Sequence, residues 1–476
     1  MKSVKDLLKS KPDLPIFAFI AIYTLAAVVV SVLRYWQFET HYFDFGIFDK
    51  AIWEASRLHA PVVYHMNFES GKNIILADHF NPSIFILSPL YWLTERREVL
   101  LVAQAVSVGI SAVIGFFIAR SLIKSRIAIF AIIVSYLGFI GMQNALITDF
   151  HEATIATVPI MLLVWAAMKG KWKTFYLCLF IILGFKETFA GLGVGIGLFL
   201  ILLKREYLKH GILTIGISLV WAYLATSIII PQLSGRPYFY APLNGPEGVK
   251  LMLEGIFQLD VRAKTLFYSF ATFGFLPAFY LPLLPAISEN LISRFISDPP
   301  RWTLAFHYSA PLSALMFLSS AFIFQKIEKS KKFKKILIPY SLFIISVVFF
   351  MHQFYLRGPL GLAYNSAFYS QTQNIKYIGD FLKKLPRNGL IMTQNDLGVM
   401  FSHEDLMLLD KNYTDRKPNH IILNLTPGQN PNNFFPLSQS DALELKKILL
   451  YDKNYRLTKF GDELYLFTRI DDKTQR

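Results

Sequence analysis

LPIFAFIAIYTLAAVVVSVL (Leu14–Leu33) is an uninterrupted apolar stretch, and RYWQFETHYFDFGIFDK (Arg34–Lys50) follows it with aromatic, acidic and basic residues. A helix needs about 20 residues to cross a bilayer, so the first stretch is long enough to span it. The stretch follows a basic segment, but it is too long and too poor in a small-residue cleavage site for a signal peptide. We therefore predict a retained first transmembrane helix with a polar motif directly after it.

The same alternation of apolar runs and polar connections continues to about residue 360. The chain of 476 residues is 54% hydrophobic and 17% charged, whereas soluble domains are about 45–50% apolar and about 25% charged. We predict an all-α polytopic membrane protein with about 9–11 transmembrane helices. The further apolar runs lie near residues 98–119, 127–143, 153–168, 174–185, 188–203, 211–230, 303–324 and 336–356.

One more apolar segment, residues 264–288, is interrupted by Gly274, Pro277, Pro282 and Pro285. Such interruptions are tolerated at membrane depth where protein surrounds them, so we predict a re-entrant or kinked hairpin.

The chain has a net charge of +15. Its positive residues lie in short connections between apolar runs, which is typical of cytoplasmic loops of a membrane protein and not of a nucleic-acid-binding surface. Lysine and arginine cluster in every second connection, as in cytoplasmic loops. This pattern predicts a cytoplasmic N-terminus, polar motifs on the outer side and no nucleic-acid partner. The basic clusters are Lys2–Lys11, Arg120–Arg126, Lys169–Lys173, Lys204–Lys209 and Lys326–Lys335.

The chain divides into two predicted domains. Residues 1–370 form the membrane domain, which includes a large first outer loop at 36–95. In that loop, apolar residues recur at helical spacing from Phe45 to Ala55, opposite Asp49, Lys50 and Glu54, which predicts an amphipathic helix on the membrane surface. Residues 371–476 have strand-length apolar runs and predict a small extracytoplasmic α/β domain.

The single cysteine, Cys178, excludes an intrachain disulfide framework and a cysteine-based metal site.

Asp44 is the first candidate for chemistry. A carboxylate in an outer loop, shielded by the neighbouring Phe43, Phe45 and Phe48, could serve as a general base or bind a cation. The alternative is that Asp44 is the N-cap of the interfacial helix. For Asp49 we favour a structural role on the polar face of that helix.

Asp149, His151 and Glu152 lie within four residues at the mouth of two predicted helices. They could bind a metal ion or orient an attacking hydroxyl, and with Asp44 they are the candidates for a divalent cation. Helix capping by Asp149 is the alternative.

Lys186 and Glu187 lie in a short link near the outer boundary, where the lysine could hold a phosphate and the glutamate could accept a proton or orient the lysine. The alternative is that they form an ion pair with each other.

The remaining candidates are single residues in outer segments. His79 and His307, the latter beside Tyr308, could contact a substrate or be satisfied structural histidines. Arg236, Arg301 and Arg357 could bind anions. GLGVGIG (Gly191–Gly197) has GxxxG spacing and follows no strand, so it predicts close helix packing rather than a dinucleotide loop.

The polar motifs follow one another in a fixed order along the chain: FDFGIFDKAIW, ADHFNPSIFILSPLYWL, DFHE, FKET, HYSAPL and, near the C-terminus, TQNDLGVMFSHEDLMLLD. Together they resemble a prokaryotic family of predicted membrane proteins, domain of unknown function 2079, over most of the chain. That family resembles the GT-C glycosyltransferase superfamily, which includes protein O-mannosyltransferases and lipid A aminoarabinose transferases.

The resemblance implies a polytopic enzyme that uses a polyprenyl-phosphate sugar, with Asp44 at the position of the superfamily's catalytic acidic residue. The expected partners are the lipid bilayer, the lipid-linked sugar and an acceptor that the sequence does not identify.

Two other hypotheses for the function stay open. A transporter or flippase needs ionisable residues near mid-membrane, and a non-catalytic scaffold needs Asp44, His151 and Lys186 to be widely separated structural residues.

Overall fold

The computed structural model describes residues 13–63, 68–240, 250, 259–461 and 463–470. The basic segment Lys2–Lys11, part of the first outer loop and the last residues of the predicted C-terminal domain lie outside these ranges. The helices of the first part of the chain are α1 (Leu14–Trp36), α2 (Ile47–Ser56), α3 (Val99–Leu122), α4 (Arg126–Gly138), α5 (Ile140–Ile147), α6 (Glu152–Ile155), α7 (Thr157–Met168), α8 (Trp172–Leu183), α9 (Phe189–Leu203), α10 (Leu208–Tyr223), α11 (Ile230–Ser234), α12 (Leu259–Ala271), α13 (Leu284–Phe295), α14 (Ala310–Lys329), α15 (Leu337–Phe350), α16 (Ser366–Asn374) and α17 (Lys376–Leu382).

The long helices have the length and composition of membrane spans. In the described part of the chain, five of them are long and apolar enough to cross a bilayer, and α4 and α5 together form a sixth candidate bent by 45°. Three shorter apolar helical segments coincide with the other predicted runs, so every predicted apolar run contains a helix. The five spans are Leu14–Trp36, Val99–Leu122, Arg205–Ser234, His307–Lys329 and Lys334–Tyr355.

Three of these spans bury less than a third of their apolar window inside the protein. The buried share is 17% in Arg205–Ser234, 22% in Lys334–Tyr355 and 28% in Leu14–Trp36. Exposed apolar surface of this extent is unusual for a soluble protein. It fits contact with lipid, as expected for the outer helices of a polytopic bundle.

The predicted interruption in residues 264–288 is present. Helix α12 ends at Ala271, and Gly274 and Phe275 then adopt left-handed backbone conformations with φ of +58° and +56°. Two short 3₁₀ turns follow before α13 begins at Leu284.

The glycine-rich helix α9 packs closely against two neighbours, which agrees with the predicted role of GLGVGIG. A Cβ atom at Gly195 would lie 2.5 Å from the Ala286 Cα on α13, and one at Gly197 would lie 2.8 Å from the Gly211 carbonyl oxygen on α10. Side chains larger than glycine would separate these helices.

Basic connections contact one another at one end of the bundle. Arg126, at the start of α4, forms an ion pair of 2.8 Å with Asp13, which directly precedes α1. The backbone amides of Lys124 and Ser125 donate to the Glu328 carboxylate at the end of α14. Within the described residues, two of the basic segments, 120–126 and 326–335, therefore lie together at one end of the bundle.

The described residues of the C-terminal sheet unit, 390–461 and 463–470, form β1 (Ile391–Thr393), α18 (Asn395–Gly398), β2 (Leu406–Leu408), α19 (Tyr413–Arg416), β3 (His420–Asn424), α20 (Gln439–Tyr451), β4 (Tyr455–Phe460) and β5 (Leu464–Arg469). The five strands lie in the order β2-β1-β3-β5-β4. The pairs β1/β2 and β1/β3 are parallel, and β3/β5 and β4/β5 are antiparallel. One face of the sheet, which includes Ile422, packs on the core of the helical part. Ile421 belongs to a separate core that includes residues of α20.

Helix α2 forms where the amphipathic pattern predicts it, but the predicted environment of its polar face is wrong. Asp49 is fully buried, Lys50 is 2% exposed and Glu54 is 9% exposed. These residues do not face water, because the segment around Ser402 and His403 of the C-terminal sheet unit covers them.

Candidate functional site

The polar motifs of five separate connections meet at one cavity of about 450 Å³. Asp44, His151 and Lys186 all line it, so they are not the separate structural caps that a scaffold requires. Of the other predicted site residues, His79, Arg236, His307 and Tyr308 also line it. Glu152 and Glu187 do not line it but contact the lining residues Lys186 and His79, and Asp149 contacts His41 beside Asp44.

Asp44 lies in a short π-helical turn, Tyr42–Gly46, between α1 and α2. Gly46 precedes the first residue of α2 and no side chain caps that helix, so the interpretation of Asp44 as an N-cap is wrong. Phe43 and Phe48 line the cavity around the carboxylate as predicted, but Phe45 is buried in the core. π-Helical turns are rare and often occur at functional sites.

The Asp44 carboxylate opens into the cavity, where its side chain is 45% exposed, and is otherwise enclosed by protein. Burial and the charge of Asp149 raise its pKa to about 7, against the opposing effects of His41 and Lys186. Its Oδ1 atom lies 4.0 Å from the Nε2 atom of His151. A carboxylate that titrates near neutral pH is suited to accept a proton from a substrate hydroxyl.

The DFHE motif is held in place by a buried glutamine from α3. Gln104 donates from Nε2 to the Asp149 carbonyl oxygen at 2.9 Å and accepts from the His151 backbone amide at 2.8 Å. Asp149 has a left-handed backbone with φ of +42° and receives the backbone amide of His41 on Oδ2 at 3.3 Å. His151 precedes α6 without a side-chain cap, so Asp149 does not cap this helix.

His151 and His307 stack on each other at the cavity wall, with ring centroids 3.5 Å apart. Burial lowers the pKa of His151 well below its usual value, and the nearby Lys186 and His79 lower it further, so the ring is neutral at pH 7. His307 is 6% exposed, and neither of its ring nitrogens has a hydrogen-bond partner among the described residues. Buried polar groups are normally paired, so His307 has free capacity to bind a ligand in the cavity.

Lys186 and Glu187 have different partners, so the interpretation that they pair with each other is wrong. Lys186 Nζ lies 3.5 Å from the Glu152 carboxylate. Burial would lower the pKa of Lys186, but Glu152 and Glu187 raise it and keep the ammonium charged.

Glu187 instead anchors the histidine of the ADHF motif. Its carboxylate accepts from His79 Nδ1 at 2.8 Å, from Tyr238 Oη at 2.6 Å and from the Phe80 amide at 3.1 Å. Burial acts to raise the pKa of Glu187, but His79 and its hydrogen bond outweigh this effect and the pKa falls to about 2. His79 stacks on Tyr240, with centroids 4.4 Å apart, and is thereby fixed in the cavity wall.

Two of the three predicted anion-binding arginines reach the cavity. Arg236 lies 5.1 Å from the Phe68 ring, and Arg301 lies 5.4 Å from the Tyr308 ring. Arg357 is exposed and does not line the cavity. Lys186, Arg236 and Arg301 thus all contribute positive charge to the lining of the cavity.

A smaller cavity of about 130 Å³ adjoins the first and shares Lys186, Arg301 and His307 with it. Arg294 on α13 lines this second cavity and is 3% exposed. Its Nε and Nη2 atoms donate to backbone carbonyls, whereas Nη1 is buried without a partner in the described part of the protein. Sequence reasoning missed Arg294, because no motif surrounds it.

Several other residues of the site were also missed. Asp78 accepts a hydrogen bond from Tyr240 Oη at 3.0 Å, and both line the main cavity. Their place in the site depends on contacts between distant segments. The ADHF motif contains Asp78, so its proximity to His79 was the one available signal.

The predicted divalent cation has no assembled site. Across the described ranges, no group of three or more His, Cys, Asp or Glu side chains is arranged to hold a metal ion. Of the four cation candidates, Asp44 and His151 approach within 4.0 Å of each other.

Comparisons with known proteins bear on the family and the fold. The family model described as "Predicted membrane protein (DUF2079)" matches residues 34–457. No curated protein matches the chain. The crystal structure of ArnT from Cupriavidus metallidurans bound to undecaprenyl phosphate is similar at a TM-score of 0.52 and 11% identity, covering 96% of this chain and 98% of that one. The chain therefore has an ArnT-like fold, which confirms the predicted fold class.

Proposed function

The chain belongs to the DUF2079 family of predicted membrane proteins, and from this premise we propose that it is a glycosyltransferase that takes a sugar from a polyprenyl-phosphate donor. The observation that carries the proposal is the cavity in which Asp44, with its pKa near 7, faces Lys186 and two arginines. Support for the donor class comes from the ArnT-like fold, since the similar ArnT structure was bound to undecaprenyl phosphate.

Asp44 is the general base in this proposal. The carboxylate accepts the proton of the acceptor hydroxyl, and the acceptor oxygen forms a bond to the anomeric carbon of the sugar. The bond between that carbon and the donor phosphate oxygen breaks, and the electron pair leaves with the phosphate. General base catalysis of this kind contributes typically about 10²–10⁴-fold.

Lys186, Arg236 and Arg301 bind the donor phosphate and stabilise the negative charge that grows on it as the bond breaks. Arg294 adds a fourth cation in the adjoining cavity. His307, with its unpartnered nitrogens, and Tyr308 beside it supply hydrogen bonds to the donor.

The residues next to Asp44 position the acceptor. Neutral His151 lies next to Asp44 and is oriented by Gln104, while Asp149 and Glu152 hold its surroundings. His79, fixed by Glu187, contacts the substrate from the first outer loop.

We further propose that the basic connections are cytoplasmic, that the cavity opens at the outer face of the membrane and that residues 371–476 form an extracytoplasmic domain. Support comes from the contacts that gather basic segments at one end, because positive charge favours the cytoplasmic side.

The test of the proposed function uses the full-length protein in lipid nanodiscs with a panel of radiolabelled polyprenyl-phosphate sugars. We expect one donor to release its sugar to an acceptor or to water, and Lys186→Gln to raise the KM for that donor. Lys264→Gln is the matched control, because Lys264 forms only an exposed pair with Asp260. Failure of every donor, together with unchanged lipid-linked sugars in a deletion strain by mass spectrometry, would reject the proposal.

A further inference from the structure

The turn that carries Asp44 is held from both sides by the C-terminal sheet unit. Residues 41–43 precede the carboxylate, residues 49 and 50 follow it, and both groups contact the unit. The distant C-terminal part of the chain therefore contacts the backbone and side chains on both sides of Asp44.

The first contact holds the start of the turn. The backbone amide of Phe43 donates to Asn395 Oδ1 at 2.9 Å, and Asn395 Nδ2 donates to the Asn432 carbonyl oxygen at 3.1 Å. Asn395 is 1% exposed, so its side-chain amide is shielded from water and makes its hydrogen bonds to these two backbone groups. Loss of the Asn395 side chain would leave the partly buried Phe43 amide without this partner, and an unpaired donor is costly.

Packing reinforces this contact. The Tyr42 side chain is fully buried against α18, where a Cβ atom at Gly398 would lie 3.1 Å from the Tyr42 Cβ. The rings of Phe43 and Phe435 meet edge to face, with centroids 4.7 Å apart. The side chains of Tyr42 and Phe43, on both sides of the Phe43 amide, thus contact the C-terminal sheet unit.

The second contact holds the helix that follows the turn. Asp49 is fully buried, accepts a hydrogen bond from Ser402 Oγ and lies 2.9 Å from His403 Nε2. Lys50 Nζ donates to the His403 carbonyl oxygen at 3.1 Å. Burial acts to raise the pKa of Asp49, but His403 and Arg97 lower it, so the carboxylate is charged in this contact.

We propose that Asn395 and Asp49 are positioning residues that hold Asp44 at the cavity through the C-terminal sheet unit. The effect on catalysis rests on the proposed function, whereas the effect on the turn does not. Lys186 and His307, which come from other elements, line the donor side of the cavity. Loss of either positioning residue therefore displaces Asp44 and leaves the donor-binding side chains in place.

The test measures hydrogen–deuterium exchange of full-length protein in nanodiscs. Asn395→Ala and Asp49→Asn should increase exchange in the segment from Tyr42 to Lys50 at least several-fold. Asn419→Ala is the matched control, because Asn419 Oδ1 accepts the Leu390 amide at 3.0 Å inside the sheet unit, away from the turn. Equal exchange of this segment in the wild type and in both positioning variants would overturn the proposal.

Steady-state kinetics separates positioning from general loss of structure. A displacement of about 1 Å at a reacting group can cost about 10²-fold in rate, so we expect Asn395→Ala to lower kcat by 10- to 100-fold with the donor KM unchanged. An unchanged kcat, despite faster exchange of the turn, would overturn the catalytic part of the proposal. If no donor is used by the wild type, the proposed function fails while the exchange experiment still decides whether the turn is positioned.

Discussion

The Asp44 carboxylate is controlled by charges of both signs within one small space. Burial and Asp149 raise its pKa to about 7, while His41 and Lys186 act against them. A base that titrates near neutral pH is half ionised under ordinary conditions and can both accept and release a proton. The charged residues around Asp44 thus set the fraction of the carboxylate that is ionised and able to act as a base.

The pH dependence of transfer should follow this pKa. Asp44 acts as a base in its ionised form, so we expect kcat/KM to fall about tenfold per pH unit below pH 7 and to level off above it. The measurement is the initial rate of sugar release from pH 5 to 9 at low donor concentration. A profile that is flat between pH 5 and 7 would contradict the role of Asp44.

Substitution of Asp149 should shift the pH profile of kcat/KM in a known direction. Its negative charge raises the pKa of Asp44, so Asp149→Asn should move the acidic limb of the profile to lower pH. Asp260→Asn, which removes an exposed carboxylate from α12, should leave the profile where it is. A limb that stays at the wild-type pH in Asp149→Asn would show that Asp149 does not act on the base.

The identity of many site residues could be predicted from sequence because a charge next to an apolar run is costly and is kept for a reason. This cost points to Asp44, His151 and Lys186, which line one cavity. No motif surrounds Arg294, and Asn395 lies in the TQNDLG motif but is uncharged and received no predicted role. Their roles depend on which distant backbone atoms they reach, and one sequence does not encode that information in a readable pattern.

At the scale of elements, α9 shows how small residues set the distance between helices. Gly195→Ala should weaken the packing of α9 on α13, because the new Cβ would lie 2.5 Å from a backbone atom. Overpacking of this kind costs typically about 1–3 kcal/mol. We expect a lower midpoint of thermal unfolding in detergent, measured by the loss of monodisperse protein on size-exclusion chromatography.

Gly216 on α10 is the matched control for that substitution. No atom lies within 4 Å of a Cβ at this position, so Gly216→Ala should leave the midpoint unchanged or raise it slightly. If Gly195→Ala and Gly216→Ala unfold at the same temperature, the close contact between α9 and α13 is not what stabilises the bundle.

Helix α2 shows what a hydrophobic pattern cannot predict about an element, namely the surroundings of its polar face. The apolar spacing predicted the helix correctly, but the polar face of Asp49, Lys50 and Glu54 was assigned to water and is buried. A hydrophobic pattern separates apolar from polar faces. It does not distinguish a polar face that meets solvent from one that meets charged and polar groups of another element.

For the whole molecule, the orientation in the membrane is directly testable. In a Cys178→Ser background, which has no other cysteine, we place single cysteines at exposed positions in separate parts of the chain. Lys453→Cys in the C-terminal sheet unit should react with a membrane-impermeant maleimide in intact cells. Lys332→Cys, between α14 and α15, should react only after the cells are permeabilised. The reverse pattern would invert the proposed topology.

Sugar transfer by Asp44→Asn from a labelled polyprenyl-phosphate donor gives the decisive test of the role of Asp44. We expect kcat to fall about 10²-fold or more, with the donor KM close to that of the wild type and with Asp260→Asn fully active. Wild-type turnover by Asp44→Asn would show that Asp44 is not the base, because the cavity would then work without its carboxylate.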